Sequence, residues 1–231
     1  MENAERMASI LDRLRSEFGP WSGGREDPFS VLVWTVLSQN TNDRNTKMAF
    51  DRLVKKYKNF GQLARADLTK IQALIRPAGL HRAKSSHLKE TSKIIETKYG
   101  GSLKTVLEKP VHLARAELLS LPGVGYKTAD CLLLFSAKRD VLPVDTHIFR
   151  VSKRLGFATP EDDHEQVKNK LENVIPRGRR GEAHIFLIAL GRKFCRAKKP
   201  LCNVCPINAL CPRLGVYTID VAKATPSGSG H

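Results

Sequence analysis

Residues 121–130 read LPGVGYKTAD, with two glycines spaced two apart and a lysine two positions after the second glycine. A glycine pair of this kind is typical of a tight turn. The flanking stretches VHLARAELLS and YKTADCLLLFSAKRD have the apolar spacing of helices. The segment therefore predicts two short helices joined by a glycine turn, with Lys127 close to the start of the second helix.

The glycine turn is a candidate anion site, because backbone N–H groups that open a helix point outward together and glycine lets a ligand approach closely. Gly123, Val124 and Gly125 are the candidate residues. Contacts of this kind with DNA phosphates are independent of base sequence. Lys127 lies where the helix dipole disfavours a cation, which favours the neutral, nucleophilic amine. The alternative is a lysine that extends into solvent to meet a phosphate.

The charge of the chain indicates an anionic partner. Its 231 residues include 39 Lys and Arg against 23 Asp and Glu, a formal net charge of +16. Nucleic acid is the leading partner for such an excess. The apolar runs are shorter than the ~20 residues that span a bilayer, and the N-terminus has no secretory signal. We therefore expect no membrane association and a cytoplasmic, nucleoid-associated protein, or a nuclear one if the source is a eukaryote.

Helix signals recur along the whole chain, whereas strand-like alternation is scarce. Asp27 followed by Pro28 predicts the start of one helix, and Gly100 with Gly101 predicts the end of another. The fold class is therefore predicted to be all-α. The C-terminal stretch ATPSGSGH has the composition of a disordered segment, so we expect a disordered tail over residues 219–231.

Four of the five cysteines lie within seventeen residues, in the pattern C-x6-C-x2-C-x5-C. Four thiolates at this spacing can close around one inorganic centre, either zinc or an iron–sulfur cluster. No coordination position is left open, so we expect the centre to be structural. The candidate ligands are Cys195, Cys202, Cys205 and Cys211. Arg196, Lys198 and Lys199 lie between the first two of them and are candidate phosphate contacts, with a solvated charge run as the alternative.

Asp145 lies in PVDTHIFR, directly before a run with helical spacing. Its simplest role is the N-cap of that helix. If the chain brings Asp145 near Lys127, the carboxylate is also placed to take a proton or to stabilise a developing positive charge. The two roles are compatible.

In this order, LPGVGYKTAD, VDTHIFRVSKRLGF and the four-cysteine pattern resemble the endonuclease III branch of the helix-hairpin-helix DNA glycosylases. The resemblance also includes DPFSVLVWTVLSQNTND and AGLHRAKSSHLKETSKII. It implies an all-α, two-lobed fold with a DNA cleft between the lobes. One lobe, residues 22–139, would be a six-helix barrel ending with the helix-hairpin-helix. The other would join residues 1–21 to residues 140–218 and carry a [4Fe-4S] cluster.

The resemblance further implies a bifunctional DNA glycosylase and AP lyase of base excision repair. It would act, as a monomer, on double-stranded DNA that contains an oxidised pyrimidine or an abasic site, after flipping the damaged base into a pocket. Lys127 would attack C1′ of the sugar and form a Schiff base, and β-elimination would then nick the strand. Asp145 would assist this chemistry, and the glycine turn would hold a phosphate.

Two weaker assignments concern the gap that a flipped base leaves in the stack. By resemblance, Gln39 or Asn40 together with Leu80 would fill this gap. Ordinary core packing is the alternative for Leu80. The stretch SQNTND departs from the order of small and amide residues in the best-known bacterial relatives, which leaves the base pocket undefined.

Two other functions remain open. Tyr126 precedes the lysine, and in mismatch-specific thymine glycosylases a tyrosine replaces the lysine itself; here the glycines keep Lys127 in the position of the nucleophile. One alternative is a monofunctional glycosylase that acts on uracil or thymine mismatches. The other is a non-enzymatic helix-hairpin-helix module that binds duplex DNA. Strand cleavage at abasic sites would separate the bifunctional enzyme from both.

Overall fold

The computed structural model describes residues 2–216, so the tail expected over residues 219–231 lies outside the described part of the chain. Within residues 2–216 the fold consists of helices and turns, without a strand. The α-helices are α1 (Asn3–Phe18), α2 (Pro28–Leu37), α3 (Asp43–Lys56), α4 (Phe60–Arg65), α5 (Leu68–Ile75), α6 (His81–Tyr99), α7 (Lys104–Leu107), α8 (Val111–Leu119), α9 (Tyr126–Cys131), α10 (Thr146–Arg154), α11 (His164–Val174) and α12 (Arg180–Lys193). The all-α class is confirmed.

The helix boundaries follow local sequence signals. Asp27 caps α2 by accepting a hydrogen bond from the backbone N–H of Ser30 at 2.9 Å, and Pro28 occupies the first helical position, as predicted. α6 ends at Gly100, whose φ of 61° is left-handed and therefore suits glycine. The helix predicted over YKTADCLLLFSAKRD is shorter than expected, because α9 continues into a π-helical turn that ends at Ser136.

The buried apolar side chains form two clusters. The first cluster is built from helices α2 to α9 and includes Val141 as its last member along the chain. The second cluster joins the buried side chains of the N-terminal helix α1 to a stretch that starts at Leu142 and includes the helices α10, α11 and α12. The chain thus passes from one cluster to the other between these two residues. Among residues 2–216, no helix is long and apolar enough to cross a membrane.

Buried ion pairs connect the two clusters next to the glycine turn. Arg115 of α8 donates hydrogen bonds to Asp130 of α9 at 2.8 and 3.2 Å and to Glu165 of α11 at 2.6 Å. Lys168 of α11 lies 4.0 Å from the same aspartate, which is 1% exposed. Burial raises the pKa of Asp130, against the opposing effect of Arg115. Each of these charges needs the others, so the network fixes α9 against α11.

Candidate active site between the two clusters

A cleft of about 1230 Å³ opens between the two clusters. Its walls come from the end of α2 and the loop after it, the start of α9, the start of α10, the start of α11 and one face of α12. Lys127, Asp145, Gln39 and Asn40 all line this cleft. The structure therefore brings together, from three places in the sequence, residues that the sequence predicts to act together.

The glycine turn presents Lys127 at the second position of α9, where the side chain is half-buried. Gly123 has a φ of 74°, and an added Cβ there would lie 2.7 Å from Cβ of His87. Both the backbone and the packing therefore require glycine. Gly125 caps α9 with extended backbone, and an added Cβ would have nothing within 4 Å. Val124 between them is buried, so the turn offers its open side at Gly125.

Asp145 is the N-cap of α10, as predicted. Its Oδ1 accepts hydrogen bonds from the backbone N–H groups of His147 at 2.9 Å and Ile148 at 2.8 Å. Oδ2 accepts no hydrogen bond from the described residues. One oxygen of the carboxylate thus holds the side chain in place, and the other remains available on the cleft side.

Two buried groups experience the charges of both Lys127 and Asp145. Burial lowers the pKa of His184 to about 4, while the carbonyl of Pro143 and the charge of Asp145 oppose this shift and Lys127 adds to it. Burial raises the pKa of the Cys131 thiol to about 12, with Lys127 and Asp145 again acting in opposite directions. Lys127, Asp145 and these two buried groups all line the same cleft.

Of the candidate gap-filling residues, Gln39 and Asn40 line the cleft, whereas Leu80 lies outside it. Asn40 has a φ of 50°, a left-handed conformation that is uncommon for a residue with a side chain. Leu80, with a φ of 48°, is 59% exposed and does not line the cleft. This exposure contradicts the core-packing alternative for Leu80. The two residues share an unusual backbone conformation that the sequence did not reveal.

Asp43 and Arg192 form an ion pair across the cleft that the sequence analysis missed. The two guanidinium nitrogens lie 2.7 and 2.8 Å from the two carboxylate oxygens, and both side chains line the cleft. Asp43 begins α3 in the first cluster, and Arg192 is near the end of α12 in the second. A separation of 149 positions leaves no local signal by which sequence reasoning could pair them.

The four clustered cysteines border one pocket together with apolar side chains of α10 and α12. All four are free of disulfides. The backbone N–H of Arg213 lies 3.4 Å from Sγ of Cys211, and Nη1 of Arg154 lies 3.4 Å from Sγ of Cys195. Within residues 2–216, no three His, Cys, Asp or Glu side chains converge closely enough to hold a single metal ion. The four cysteines thus share one pocket with apolar side chains.

The basic residues of the cysteine loop are exposed and lie outside the cleft wall. Arg154 of α10 donates hydrogen bonds to the carbonyl oxygens of Arg196 at 2.6 Å and Ala197 at 3.0 Å, which anchors the backbone of the loop. The side chains of Arg196, Lys198 and Lys199 form no ion pair with the described residues. Their charge is therefore directed to solvent.

The sequence of the chain is similar to those of known DNA repair proteins. Residues 33–177 match the model of the HhH-GPD superfamily of base excision DNA repair proteins. Endonuclease III of Thermotoga maritima is 38% identical over 188 residues, which cover 80% of this chain and 83% of the relative. Endonuclease III of Escherichia coli (strain K12) is 33% identical over 214 residues, which cover 91% of this chain and 96% of the relative.

The chain is also similar in structure to an endonuclease III trapped as a covalent intermediate with DNA. The TM-score is 0.79 at 31% identity, with 92% of this chain and 97% of the other covered. This similarity confirms the predicted fold. The chain therefore belongs to the HhH-GPD superfamily of base excision DNA repair proteins, in which it is a DNA glycosylase and AP lyase of the endonuclease III family.

Proposed function

We propose that Lys127 and Asp145 are the catalytic residues of this DNA glycosylase and AP lyase, and that its substrates are oxidised pyrimidines and abasic sites in double-stranded DNA. The observation that carries the proposal is that the cleft between the clusters holds both residues beside the open side of the glycine turn. A flipped nucleotide enters this cleft with its sugar next to Lys127.

The chemistry needs a neutral amine and a carboxylate. Asp145 takes the proton of the Lys127 ammonium or stabilises the positive charge that develops on the sugar. As the Nζ–C1′ bond forms, the bond between C1′ and the base breaks, and the base leaves with the electron pair and is protonated. The C1′–O4′ bond of the resulting aminal then breaks, which opens the sugar ring with a proton going to O4′ and leaves an imine that makes the C2′ proton acidic. Its removal expels the 3′ phosphate oxygen and nicks the strand.

The remaining predicted residues position the DNA. Gly123, Val124 and Gly125 hold a backbone phosphate, which the open space at Gly125 and the adjoining N–H groups of α9 support. Gln39 or Asn40, with the exposed Leu80, fill the gap left by the flipped nucleotide. The cations that contact DNA outside the cleft are Arg196, Lys198 and Lys199. The enzyme acts on DNA as a monomer, in the compartment that holds the genome.

Cys195, Cys202, Cys205 and Cys211 hold a [4Fe-4S] cluster. Soft thiol donors in an apolar pocket, with N–H groups close to two of the sulfurs, suit such a cluster. A cubane would take one thiolate at each iron, and this segment supplies four cysteines. When bound, the cluster ties the cysteine loop to the second cluster of apolar side chains. Iron and sulfide analysis of the purified protein tests this, and a single zinc ion per chain would contradict it.

The division into lobes follows the two clusters of apolar side chains. We propose that residues 22–139 form the six-helix barrel lobe, and that residues 1–21 with 140–218 form the lobe of the iron–sulfur cluster. The passage of the chain between Val141 and Leu142 supports this division. The affiliation of α1 with the C-terminal helices supports it as well.

Borohydride trapping tests the catalytic assignment. The protein is incubated with duplex DNA containing one thymine glycol or one abasic site, reduced, and separated on a denaturing gel. Wild type is expected to give a covalent adduct on both DNAs, and Lys127→Ala on neither. Lys47→Ala, which removes an exposed lysine paired with Asp51, serves as the matched control and is expected to trap like wild type. An adduct that persists in Lys127→Ala would overturn the assignment.

A further inference from the structure

Lys84, in the first turn of α6, is a buried ammonium held by backbone carbonyls. It is 3% exposed, and its Nζ donates hydrogen bonds to the carbonyl oxygens of Leu37 at 2.8 Å, Gln39 at 2.7 Å and Ala78 at 2.9 Å. No carboxylate of residues 2–216 forms an ion pair with it. The three bonds use all three donors of the ammonium group. Burial lowers the pKa of Lys84. A lysine that is buried without a counter-charge is unusual.

The three carbonyls come from two separate segments. Leu37 and Gln39 belong to the end of α2 and the loop after it, which continues into Asn40. Ala78 ends the short turn that continues into Leu80. The buried ammonium group of Lys84 therefore connects these two segments through hydrogen bonds.

Each segment contains a residue with left-handed backbone within two positions of a carbonyl group that binds Lys84. Asn40 has a φ of 50° and Leu80 has a φ of 48°. The left-handed region disfavours a residue with a Cβ, leucine more than asparagine, so such a conformation persists where the surroundings fix it. A cap of α2 would require only the bonds to Leu37 and Gln39. The additional bond to Ala78 extends the interaction to the other segment. The joined pair of strained residues indicates that their relative placement matters.

We propose that Lys84 is a positioning residue that fixes the Gln39–Asn40 loop and the Leu80 turn to each other, so that both enter the DNA stack as one preorganised unit. This inference rests on the proposed function, because the gap-filling role of these residues is part of it. Lys84 touches neither the reacting sugar nor Lys127. Its contribution is therefore to opening the stack and holding it open, and not to the chemistry at C1′.

A comparison of double-stranded and single-stranded substrates separates these two contributions. A single strand with an abasic site has no stack to fill, yet its aldehyde still reacts with Lys127. We expect Lys84→Met to lower the rate of base removal from a thymine glycol duplex about tenfold or more, as for the loss of a buried hydrogen-bonding group. Imine trapping on the single-stranded abasic DNA is expected to remain within about twofold of wild type, since no interaction with the reacting centre is lost.

Lys89→Met is the matched control. Lys89 lies on the same helix, and its ammonium donates to the carbonyl oxygen of Ala66, away from both segments. This variant is expected to match wild type on both substrates. Urea unfolding checks that each variant is folded. If Lys84→Met does not fold, Lys84→Gln, which retains two donors, is measured in its place with the same expectations at a smaller loss.

Leu80→Ala provides a second, independent readout. If Lys84 acts through Leu80, the substitution at position 84 has a smaller effect in the Leu80→Ala background than in wild type, because the effects of coupled residues do not add. Equal losses on single-stranded and duplex DNA, no loss on duplex DNA, or additive effects of the two substitutions would each overturn the proposal. Failure of wild type to trap abasic DNA in either the duplex or the single-stranded form would instead refute the Lys127 chemistry.

Discussion

Asp145 has two roles that two substitutions can separate. Asn at this position retains an oxygen that can accept the N–H groups of His147 and Ile148, but it carries no negative charge. Ala removes both the charge and the cap. Asn and Asp are about equally good N-caps, so only Asp145→Ala is expected to affect the stability of α10.

The structure sets the size of each effect. Asp145 accepts two backbone hydrogen bonds, at 2.9 and 2.8 Å. Loss of such a cap lowers the free energy of unfolding by about 1 kcal/mol. For a chain of this length that corresponds to a fall in Tm of roughly 2–4 °C. Loss of a catalytic carboxylate lowers the rate by about 10²–10⁴-fold. The cap is thus too small to account for a catalytic loss of that size.

The assay combines urea unfolding with single-turnover removal of thymine glycol from duplex DNA. Both Asp145→Asn and Asp145→Ala are expected to lose at least about 10²-fold in rate. Only Asp145→Ala is expected to lose stability. If Asp145→Asn removes the base as fast as wild type while Asp145→Ala is inactive, the carboxylate serves only as a cap, and the catalytic reasoning is refuted.

Four further predictions concern stability and binding. Gly123→Ala should lower the free energy of unfolding in urea by ~2 kcal/mol, because Gly123 has a φ of 74° and the added Cβ would lie 2.7 Å from Cβ of His87. Gly125→Ala should unfold like wild type. It should bind duplex DNA about tenfold more weakly by fluorescence anisotropy, because the added methyl group would stand where the phosphate approaches. Burial lowers the pKa of His184 from 6.5 in the unfolded chain to about 4. The contribution of His184 to stability is therefore complete above pH 6.5 and is lost as pH falls towards 4, by about 3 kcal/mol in all. His184→Gln should flatten this part of the pH dependence of urea unfolding. Arg115→Met should lower the free energy of unfolding by ~3–5 kcal/mol, because it leaves the buried Asp130 without the guanidinium that pairs with it. Adding Asp130→Leu should restore most of this stability, and no recovery in the double variant would contradict the pairing.

Local signals account for what the sequence predicted well. Asp27 with Pro28, Gly100 and Asp145 act on backbone within five residues of themselves, and each is found in its predicted role at a helix end. The glycine turn belongs to the same class, since the positive φ of Gly123 is a property of the turn itself. Resemblance to a family then supplied the overall arrangement, which local patterns do not contain.

The groups that the sequence analysis missed all depend on partners far along the chain. Asp43 pairs with Arg192, Arg115 reaches Glu165, and Lys84 reaches back to Leu37. In sequence each is one charged residue among many, and periodicity places it on no special face. Only the folded chain shows which charges gain a partner, and of these groups Asp43 and Arg192 line the cleft.

The passage of the chain between the two clusters has a consequence for its synthesis. α1 is made before the helices that cover it, because the side chains that cover Met7 and Leu14 begin at Leu142. At a synthesis rate of 5–20 residues per second, the apolar stripe of α1 stays uncovered on the order of ten seconds. The first cluster, which needs no residue before Phe29, can form during that time. A chaperone or a second nascent chain that binds the N-terminal helix competes with folding in this interval.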